Sequence, residues 1–208
     1  MKIEIFGNTP PVIWMHVAPG EGETLGSLFY QRATLICVSA IDWNDALSPW
    51  PAEAVFKNNA PFGGHAAMHL QTLTQEVLPE TEGRLPFSVA QRFLAGYSMA
   101  GLFAAYAMYH CDCFSRIATV SGSLWYDRWA DYARAHAPSP SVQKIYVSLG
   151  MREHRTRNAR MARVQTCTET LVDYWRQFCS VTYERMPGGH FHEPTLRMAK
   201  AIEQLLKI

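Results

Sequence analysis

Short apolar segments rich in β-branched and aromatic residues alternate with longer stretches of helical periodicity, and this alternation restricts the fold more than any other feature. The strand candidates are residues 3–6, 12–16, 34–38, 92–96, 117–120, 145–149 and 181–186. The helix candidates are residues 64–78, 99–109, 158–178 and 194–206. Because strands that alternate with helices build βαβ units, we predict an α/β fold with a mostly parallel central sheet and helices on both faces.

The size and composition of the chain are those of an ordinary globular domain. Its 208 residues suit a single domain over residues 1–208, and 48% of them are apolar. The formal net charge of +1 is spread along the chain without a basic stripe, which argues against nucleic acid as a partner. No apolar run has the ~18 residues that a membrane span needs. Glu4 and Asn8 interrupt the N-terminal apolar segment where a signal peptide would be continuous, so we expect a cytoplasmic protein.

The cysteines indicate neither a disulfide framework nor a complete metal site. Their number is odd and their spacing irregular: Cys37, Cys111, Cys113, Cys167 and Cys179. The run His110-Cys111-Asp112-Cys113 could supply half of a metal site, but no second Cys/His pair at zinc spacing completes it. We therefore interpret this run as the end of a packed helix and expect neither a metal nor a cofactor.

The segment Gly96-Tyr97-Ser98-Met99-Ala100-Gly101 lies at the junction of a predicted strand and a predicted helix. A Gly-x-Ser-x-Gly pattern at such a junction is typical of a nucleophile elbow, a tight turn that exposes a serine hydroxyl. The neighbours two positions away must be small for this turn to close. Gly96 meets that need on one side, and Ala100 takes the usual glycine place on the other, with Gly101 beside it. We predict Ser98 as a nucleophile; the alternative is an ordinary structural turn that contains a serine.

A serine nucleophile needs a general base, and the last predicted strand leads into a loop that carries two histidines. The sequence there is Pro187-Gly188-Gly189-His190-Phe191-His192-Glu193. Catalytic groups of open α/β sheets lie at the carboxyl ends of the strands, which is where this loop begins. His190 directly follows the two glycines and is the predicted base, whereas we expect His192 to cap the helix or line the pocket. A His-x-His-Glu metal site is the competing interpretation, but it would need further ligands.

The acid of a serine–histidine–acid triad should precede the histidine and follow an earlier strand. After residues 145–149 the chain reads Gly150-Met151-Arg152-Glu153-His154, and Glu153 is the best candidate. Its role would be to orient the imidazole and stabilise its cationic form. The alternative is a surface glutamate paired with Arg152 or Arg155.

Two further parts of a hydrolytic site follow from loop positions. The backbone N–H of Met99, at a helix N-terminus, is the first predicted oxyanion donor, and the N–H of Ala18 or Val17, after the second predicted strand, is the second. His16 is either a packed strand-end residue or a contributor to the site. Four large aromatic residues in the loops near Ser98 would favour a bulky apolar or aromatic ester group: Trp43, Trp50, Trp125 and Tyr126.

With these residues the chain resembles the serine esterase family of the α/β-hydrolase superfamily, which includes siderophore (enterochelin-type) esterases, S-formylglutathione hydrolases and feruloyl esterases. The resemblance covers nearly the whole chain. Besides the serine motif it rests on Ser48-Pro49-Trp50-Pro51, Ser121-Gly122-Ser123-Leu124-Trp125-Tyr126, Ser148-Leu149-Gly150 with Glu153, and Gly189-His190-Phe191. It implies a compact α/β-hydrolase fold with little or no lid and a small-molecule ester as substrate. The run that follows the fifth strand is most similar to the siderophore esterases.

Two departures from the family pattern leave alternatives open. Relatives often carry Gly-Asp-Lys-Glu where this chain has Gly150-Met151-Arg152-Glu153, so Met151 replaces an aspartate. If that aspartate is the acid in the relatives, this chain works either with Glu153 as the acid or as a Ser–His dyad. The early loop, His16-Val17-Ala18-Pro19-Gly20, lacks the His-Gly-Gly signature. The leading hypothesis is a serine carboxylesterase. The alternatives are a catalytically silent hydrolase fold that serves as a binding or scaffold protein, and an acyltransferase with the same nucleophile.

Overall fold

A single sheet of seven strands organises the computed structural model, which describes residues 1–57 and 59–207. The strands are β1 (Lys2–Phe6), β2 (Val12–His16), β3 (Thr34–Ser39), β4 (Arg92–Tyr97), β5 (Arg116–Val120), β6 (Lys144–Gly150) and β7 (Ser180–Met186). Their order is β1-β3-β2-β4-β5-β6-β7, and β1 pairs antiparallel with β3 while the other pairs are parallel. The predicted strands and the mostly parallel sheet are confirmed.

The sheet topology gathers the predicted site residues at one edge. Strand β4 lies between β2 and β5, with Gly96 opposite His16 on one side and Thr119 on the other. Because β2 and β4 to β7 run parallel, their carboxyl ends share an edge of the sheet. The loops that carry Ser98, Glu153 and His190 therefore begin side by side.

Helices cover both faces of the sheet, as predicted. They are α1 (Glu21–Phe29), α2 (Trp43–Ala46), α3 (Ala66–Thr72), α4 (Leu78–Glu82), α5 (Met99–His110), α6 (Trp129–Ala135), α7 (Ala159–Ala162), α8 (Val164–Trp175) and α9 (Pro194–Leu206). α1 and α9 share one apolar core with the sheet, and α3, α5 and α8 share the other. Among the described helices, none combines the length and the apolar content that a bilayer crossing requires.

The sequence pattern does not predict α1, α2 or α6, and α4 (Leu78–Glu82) continues beyond residue 78, where the predicted helix ends. Helix α1 contains Gly22 and Gly26, and glycine counts against a helix interior. The glycines serve close packing on the sheet, since a Cβ on Gly26 would lie 2.4 Å from the ring of Phe6. The other differences are interruptions: the predicted helix 64–78 contains a π-helical turn at Leu73–Val77, and the predicted helix 158–178 is divided at Arg163.

Residues 40–57 and 59–65, between β3 and α3, fold over the carboxyl edge of the sheet. Helix α2 starts this segment, and the Asp42 carboxylate caps it by accepting the N–H groups of Asn44 at 3.0 Å and Asp45 at 3.1 Å. Further along, paired backbone hydrogen bonds of 3.2 and 2.9 Å join Ala52 and Phe62. This segment supplies one wall of the cavity described below.

Candidate active site

Ser98 lies in the turn between β4 and α5 in a backbone conformation that few residues other than glycine adopt. Its φ is 58° and its ψ is −119°. Its N–H donates to the carbonyl of Val120 at 3.0 Å, and its carbonyl accepts the N–H of Ser123 at 2.9 Å. Strand β5 and the turn after it thus hold the strained residue in place, which is the strand–turn–helix context that a nucleophile elbow requires.

Close backbone approaches explain the small residues around Ser98. A Cβ on Gly96 would lie 2.1 Å from the carbonyl oxygen of Ala100, so only glycine fits at position 96. A Cβ on Gly101 would lie 2.9 Å from Cα of Gly122, in the turn after β5. Gly101 is therefore the glycine that lets α5 approach that turn, and position 100 accepts an alanine.

A continuous hydrogen-bond chain connects Ser98, His190 and Glu153. Nε2 of His190 lies 3.0 Å from Oγ of Ser98, and Nδ1 lies 2.8 Å from Oε2 of Glu153. With the proton on Nδ1, the imidazole donates to Glu153 and its Nε2 can accept the serine proton. His192 instead contacts the neighbouring Glu193, with 3.3 Å between Nε2 and Oε2.

Glu153 is a buried carboxylate whose second oxygen is fully engaged. Oε1 accepts hydrogen bonds from the hydroxyl of Ser121 at 2.7 Å, from the N–H of Gly150 at 2.7 Å and from Arg197 at 2.9 Å. Burial by itself raises the pKa of Glu153, but the hydrogen bond and charge of His190 and the hydrogen bonds from Ser121 and Gly150 lower it more. The net pKa lies below the ordinary value, so Glu153 is ionised at neutral pH.

The family's aspartate position takes no part in this network. Met151 occupies it, and its side chain is exposed and has no group that could orient an imidazole. Glu153 contacts His190 directly, so the geometry favours a triad over a Ser–His dyad.

Arg197 on α9 is a component of the site that the sequence does not predict. It is 1% exposed. Nη1 donates to Ser121 Oγ at 2.8 Å and to Glu153 Oε1 at 2.9 Å. Nη2 donates to the carbonyls of Pro187 at 2.6 Å and Gly189 at 2.9 Å. One buried guanidinium therefore ties the acid to the loop that carries the base.

Tyr97 supports the histidine loop from the strand side. Its hydroxyl donates to the backbone carbonyl of His190, and its ring centroid lies 5.4 Å from that of the imidazole. On the solvent side, Phe191 contacts the imidazole edge-on at 4.9 Å and is 88% exposed. Tyr97 thus holds the backbone of His190 itself, whereas Arg197 holds the preceding part of the loop at Pro187 and Gly189, and the imidazole lies beside the exposed ring of Phe191.

The oxyanion-donor predictions have different outcomes. Met99 lines the same cavity as Ser98, and its N–H belongs to the first turn of α5, where backbone donors have no intrahelical acceptor. The N–H of Ala18 instead donates to Oε2 of Glu21 at 3.2 Å, and the N–H of Val17 donates to the carbonyl of Val38 at 3.0 Å. The side chain of Glu21 in α1 and the extended β2–β3 pairing use these donors, and neither residue lines the cavity.

His16 is a packed strand-end residue. Its Nε2 lies 2.8 Å from Nε2 of His69, and both rings contact Phe103. Burial, together with the neighbouring His69, lowers the pKa of His16 well below its ordinary value, and burial lowers the pKa of His69 to about 4. The pair is therefore a neutral hydrogen-bonded contact of the core at neutral pH.

The cavity at Ser98 has a volume of about 230 Å³ and is mostly apolar. The residues that line it beside Ser98, Met99 and His190 are Asn44, Val55, Phe56, Asn59, Ala60, Phe62, Ser123, Trp125, Met161 and Phe191. These lining residues carry no formally charged side chain apart from the titratable His190. Such a cavity suits an uncharged apolar group next to the reacting carbonyl.

Of the predicted aromatic pocket residues, the structure brings Trp125 to this cavity. Trp50 and Tyr126 fasten loops beside it: Trp50 Nε1 donates to the carbonyl of Asp127 at 2.9 Å, and the Tyr126 hydroxyl donates to the carbonyl of Trp50 at 2.6 Å. Trp43 packs against the hydrophobic core. The pocket prediction is thus corrected for these three residues, and Phe56, Phe62 and Phe191 supply the remaining aromatic surface.

The run His110-Cys111-Asp112-Cys113 begins at the end of a packed helix. Helix α5 ends at His110, whose ring stacks on Tyr106 with 4.0 Å between ring centroids and lies 3.1 Å from the hydroxyl of Tyr132. Within residues 1–57 and 59–207, no group of three or more His, Cys, Asp or Glu side chains is arranged to hold a metal ion.

Comparison with protein families assigns the chain to a family. The family model described as "Putative esterase" matches residues 20–194, so the chain belongs to that family. The Bacillus subtilis protein described as "Uncharacterized protein YbbA" is 26% identical over 144 residues, which are 66% of this chain and 58% of that protein. The match therefore spans less than two thirds of this relative.

Solved structures of hydrolases and esterases share the fold at low sequence identity. The siderophore hydrolase EstB from Aspergillus nidulans superposes with a TM-score of 0.77 at 16% identity, over 98% of this chain and 88% of that one. An IroE-like serine hydrolase from Shewanella oneidensis gives 0.76 at 15% identity, over 94% and 70%. The enterobactin esterase FES from Shigella flexneri gives 0.72 at 20% identity, over 98% and 54%. These likenesses establish the α/β-hydrolase fold.

Proposed function

We propose that this chain is a serine carboxylesterase in which Ser98 is the nucleophile, His190 the general base and Glu153 the orienting acid. The observation that carries the proposal is the hydrogen-bond chain from Ser98 through His190 to Glu153, with contacts of 3.0 and 2.8 Å. The strained turn at Ser98 and the membership of an esterase family support it.

The proposed reaction follows from the positions of the donors and acceptors. Nε2 of His190 takes the proton of Ser98 as Oγ attacks the ester carbonyl, and Glu153 stabilises the imidazolium that forms. The same proton then moves to the leaving alcohol, and the acyl group remains on Oγ. Water attacks this acyl-enzyme with His190 again as the base, which releases the carboxylic acid and restores Ser98.

We assign the two oxyanion donors to the backbone N–H of Met99 and the side-chain amide of Asn44. Asn44 lines the cavity with Ser98, and the cap at Asp42 fixes its backbone. Among the described residues, its Nδ2 makes one long contact, 3.4 Å to the carbonyl of Ala60, so the amide can still donate to a substrate oxygen. This assignment replaces Ala18, whose N–H is already engaged by Glu21.

Substitution of Asn44 tests the second donor. We expect Asn44→Ala to lower kcat for a p-nitrophenyl ester by roughly 10²-fold with little change in KM, because the hydrogen bond strengthens as the oxyanion forms. Asn44→Asp, which keeps the shape but removes the donor, should lose at least as much. Asn8→Ala, at an exposed loop position, serves as the control. Near-normal kcat in both Asn44 variants would refute the assignment.

The acyl specificity follows from the cavity walls. Because Trp125, Phe62 and Phe56 line the space beside Ser98, we expect kcat/KM for a p-nitrophenyl benzoate to exceed that for the acetate by about tenfold, after correction for the intrinsic reactivity of each ester. Trp125→Ala should reduce this ratio. Equal corrected values for both esters in the wild type would exclude an aromatic preference.

The named relatives suggest a narrower substrate class. The structural neighbours include siderophore hydrolases and an enterobactin esterase, and a siderophore-type ester would bring aromatic groups to the cavity. We propose such an ester as a candidate within the aromatic class. If the protein hydrolyses a siderophore-type ester no faster than simple acetyl esters, this candidate substrate is excluded.

A further inference from the structure

A second cleft, with three arginines among the ten residues that line it, adjoins the cavity at Ser98 through Trp125. It has a volume of about 330 Å³ and lies between helices α6 and α8. Trp125 lines both this cleft and the cavity that contains Ser98, so one indole borders the two spaces. The cavity at Ser98 is mostly apolar, whereas Arg128, Arg134 and Arg163 all line the cleft.

The positive charge of the cleft is only partly compensated within the described residues. Asp131 is the carboxylate that lines it, against three guanidinium groups. Arg163 has a single long contact, 3.6 Å to Asp127, whose carboxylate binds Arg160 at 2.8 Å. Among the ion pairs of the described residues, Arg128 and Arg134 have no carboxylate within 4.0 Å.

We infer that this cleft is a binding site for an oxyanion group, a carboxylate or a phosphate. Guanidinium groups match the geometry of such oxyanions and bind them through paired N–H donors. The hydroxyls of Thr166 and Thr170 line the same wall and add donors. The oxyanion belongs either to a free small anion or to the part of an ester substrate that extends beyond Trp125.

Cys167 provides a probe for the site because it lines the cleft and is half-buried. We expect inorganic phosphate, at constant ionic strength and several times its dissociation constant, to slow alkylation of Cys167 by N-ethylmaleimide about threefold or more. Peptide mass spectrometry resolves each cysteine, and Cys179, which lies outside the cleft, is the internal reference.

The variant Arg134→Gln/Arg163→Gln should abolish this protection. Each variant is compared with and without phosphate, because loss of Arg163 also changes the reactivity of Cys167 itself. Arg176→Gln is the matched control, since Arg176 is about half exposed but pairs with Asp173 outside the cleft. Absence of protection in the wild type, or equal protection in the double variant, would overturn the proposal.

A second arm identifies the source of the oxyanion and rests on the proposed esterase activity. Two p-nitrophenyl esters are compared, one with an acyl group that ends in a carboxylate and one with the corresponding methyl ester. If kcat/KM favours the carboxylate by about tenfold and the double variant loses this preference, the anion is part of the substrate. If phosphate protects Cys167 without such a preference, the site takes a free anion. The phosphate arm needs no turnover, so its result stands even where the esterase proposal fails.

Discussion

Replacement of Ser98 by alanine is expected to lower the hydrolysis of a p-nitrophenyl ester by about 10³-fold or more, because the acyl-enzyme cannot form. His190→Ala should cost a similar factor, since Nε2 of His190 lies 3.0 Å from Oγ of Ser98 and is the proposed acceptor of its proton. The double variant should be about as slow as either single one. When two residues act together in one step, removal of either one already abolishes that step, so removal of both costs little more.

Controls separate this effect from a change in folding. Ser27→Ala removes a serine on the exposed side of α1, whose hydroxyl donates to the carbonyl of Thr24, and should keep the wild-type rate. Circular dichroism of each variant establishes that the fold is retained. A well-folded Ser98→Ala protein with near-normal turnover would show that Ser98 is not the nucleophile.

Replacement of Arg197 by methionine is the second change for which we expect a large effect. It removes the group that joins Glu153 and Ser121 to the carbonyls of Pro187 and Gly189. Without it, the loop that carries the base can shift, and a displacement of about 1 Å costs on the order of 10² in rate. We therefore expect kcat to fall by about that factor while KM changes little.

The pH profile distinguishes a positioning role of Arg197 from a merely structural one. Arg197 lies 2.9 Å from Oε1 of the buried Glu153, so removal of this cation leaves the carboxylate with less stabilisation of its charge. The pKa of Glu153, which is lowered in the wild type, should then rise. The acid limb of kcat should then move to higher pH. Arg197→Lys keeps a cation, so it should retain part of the wild-type kcat and shift the acid limb of the pH profile less than Arg197→Met does. A folded Arg197→Met protein with wild-type kcat and profile would contradict this role.

The fold could be predicted because its signals are local and repeated. Each parallel strand is a short apolar run, and α5 follows the serine motif as a continuous apolar helix that is buried on all sides. The prediction missed α1 because Gly22 and Gly26 lower helix propensity. Their purpose becomes visible only when Phe6 of a distant strand packs against them.

The catalytic residues could be proposed from sequence because each lies in a recognisable motif after a strand. Arg197 carries no such signal: on an amphipathic terminal helix an arginine is usually solvent-exposed, and its burial depends on the acid and the histidine loop being present. Nor does sequence show which aromatic residues face a cavity. Trp50 and Tyr126 are used to fasten loops, and Trp125 lines the cavity.

The most direct test of the central claim is mass spectrometry of the intact protein after exposure to a fluorophosphonate, which modifies activated serines covalently. We predict a single adduct that is absent in Ser98→Ala and forms much more slowly in His190→Ala, since His190 is the proposed base for the hydroxyl. No adduct on the folded wild-type protein would contradict the account. The turn at Ser98 would then have the geometry of a nucleophile elbow without a reactive hydroxyl, as expected of a catalytically silent hydrolase fold.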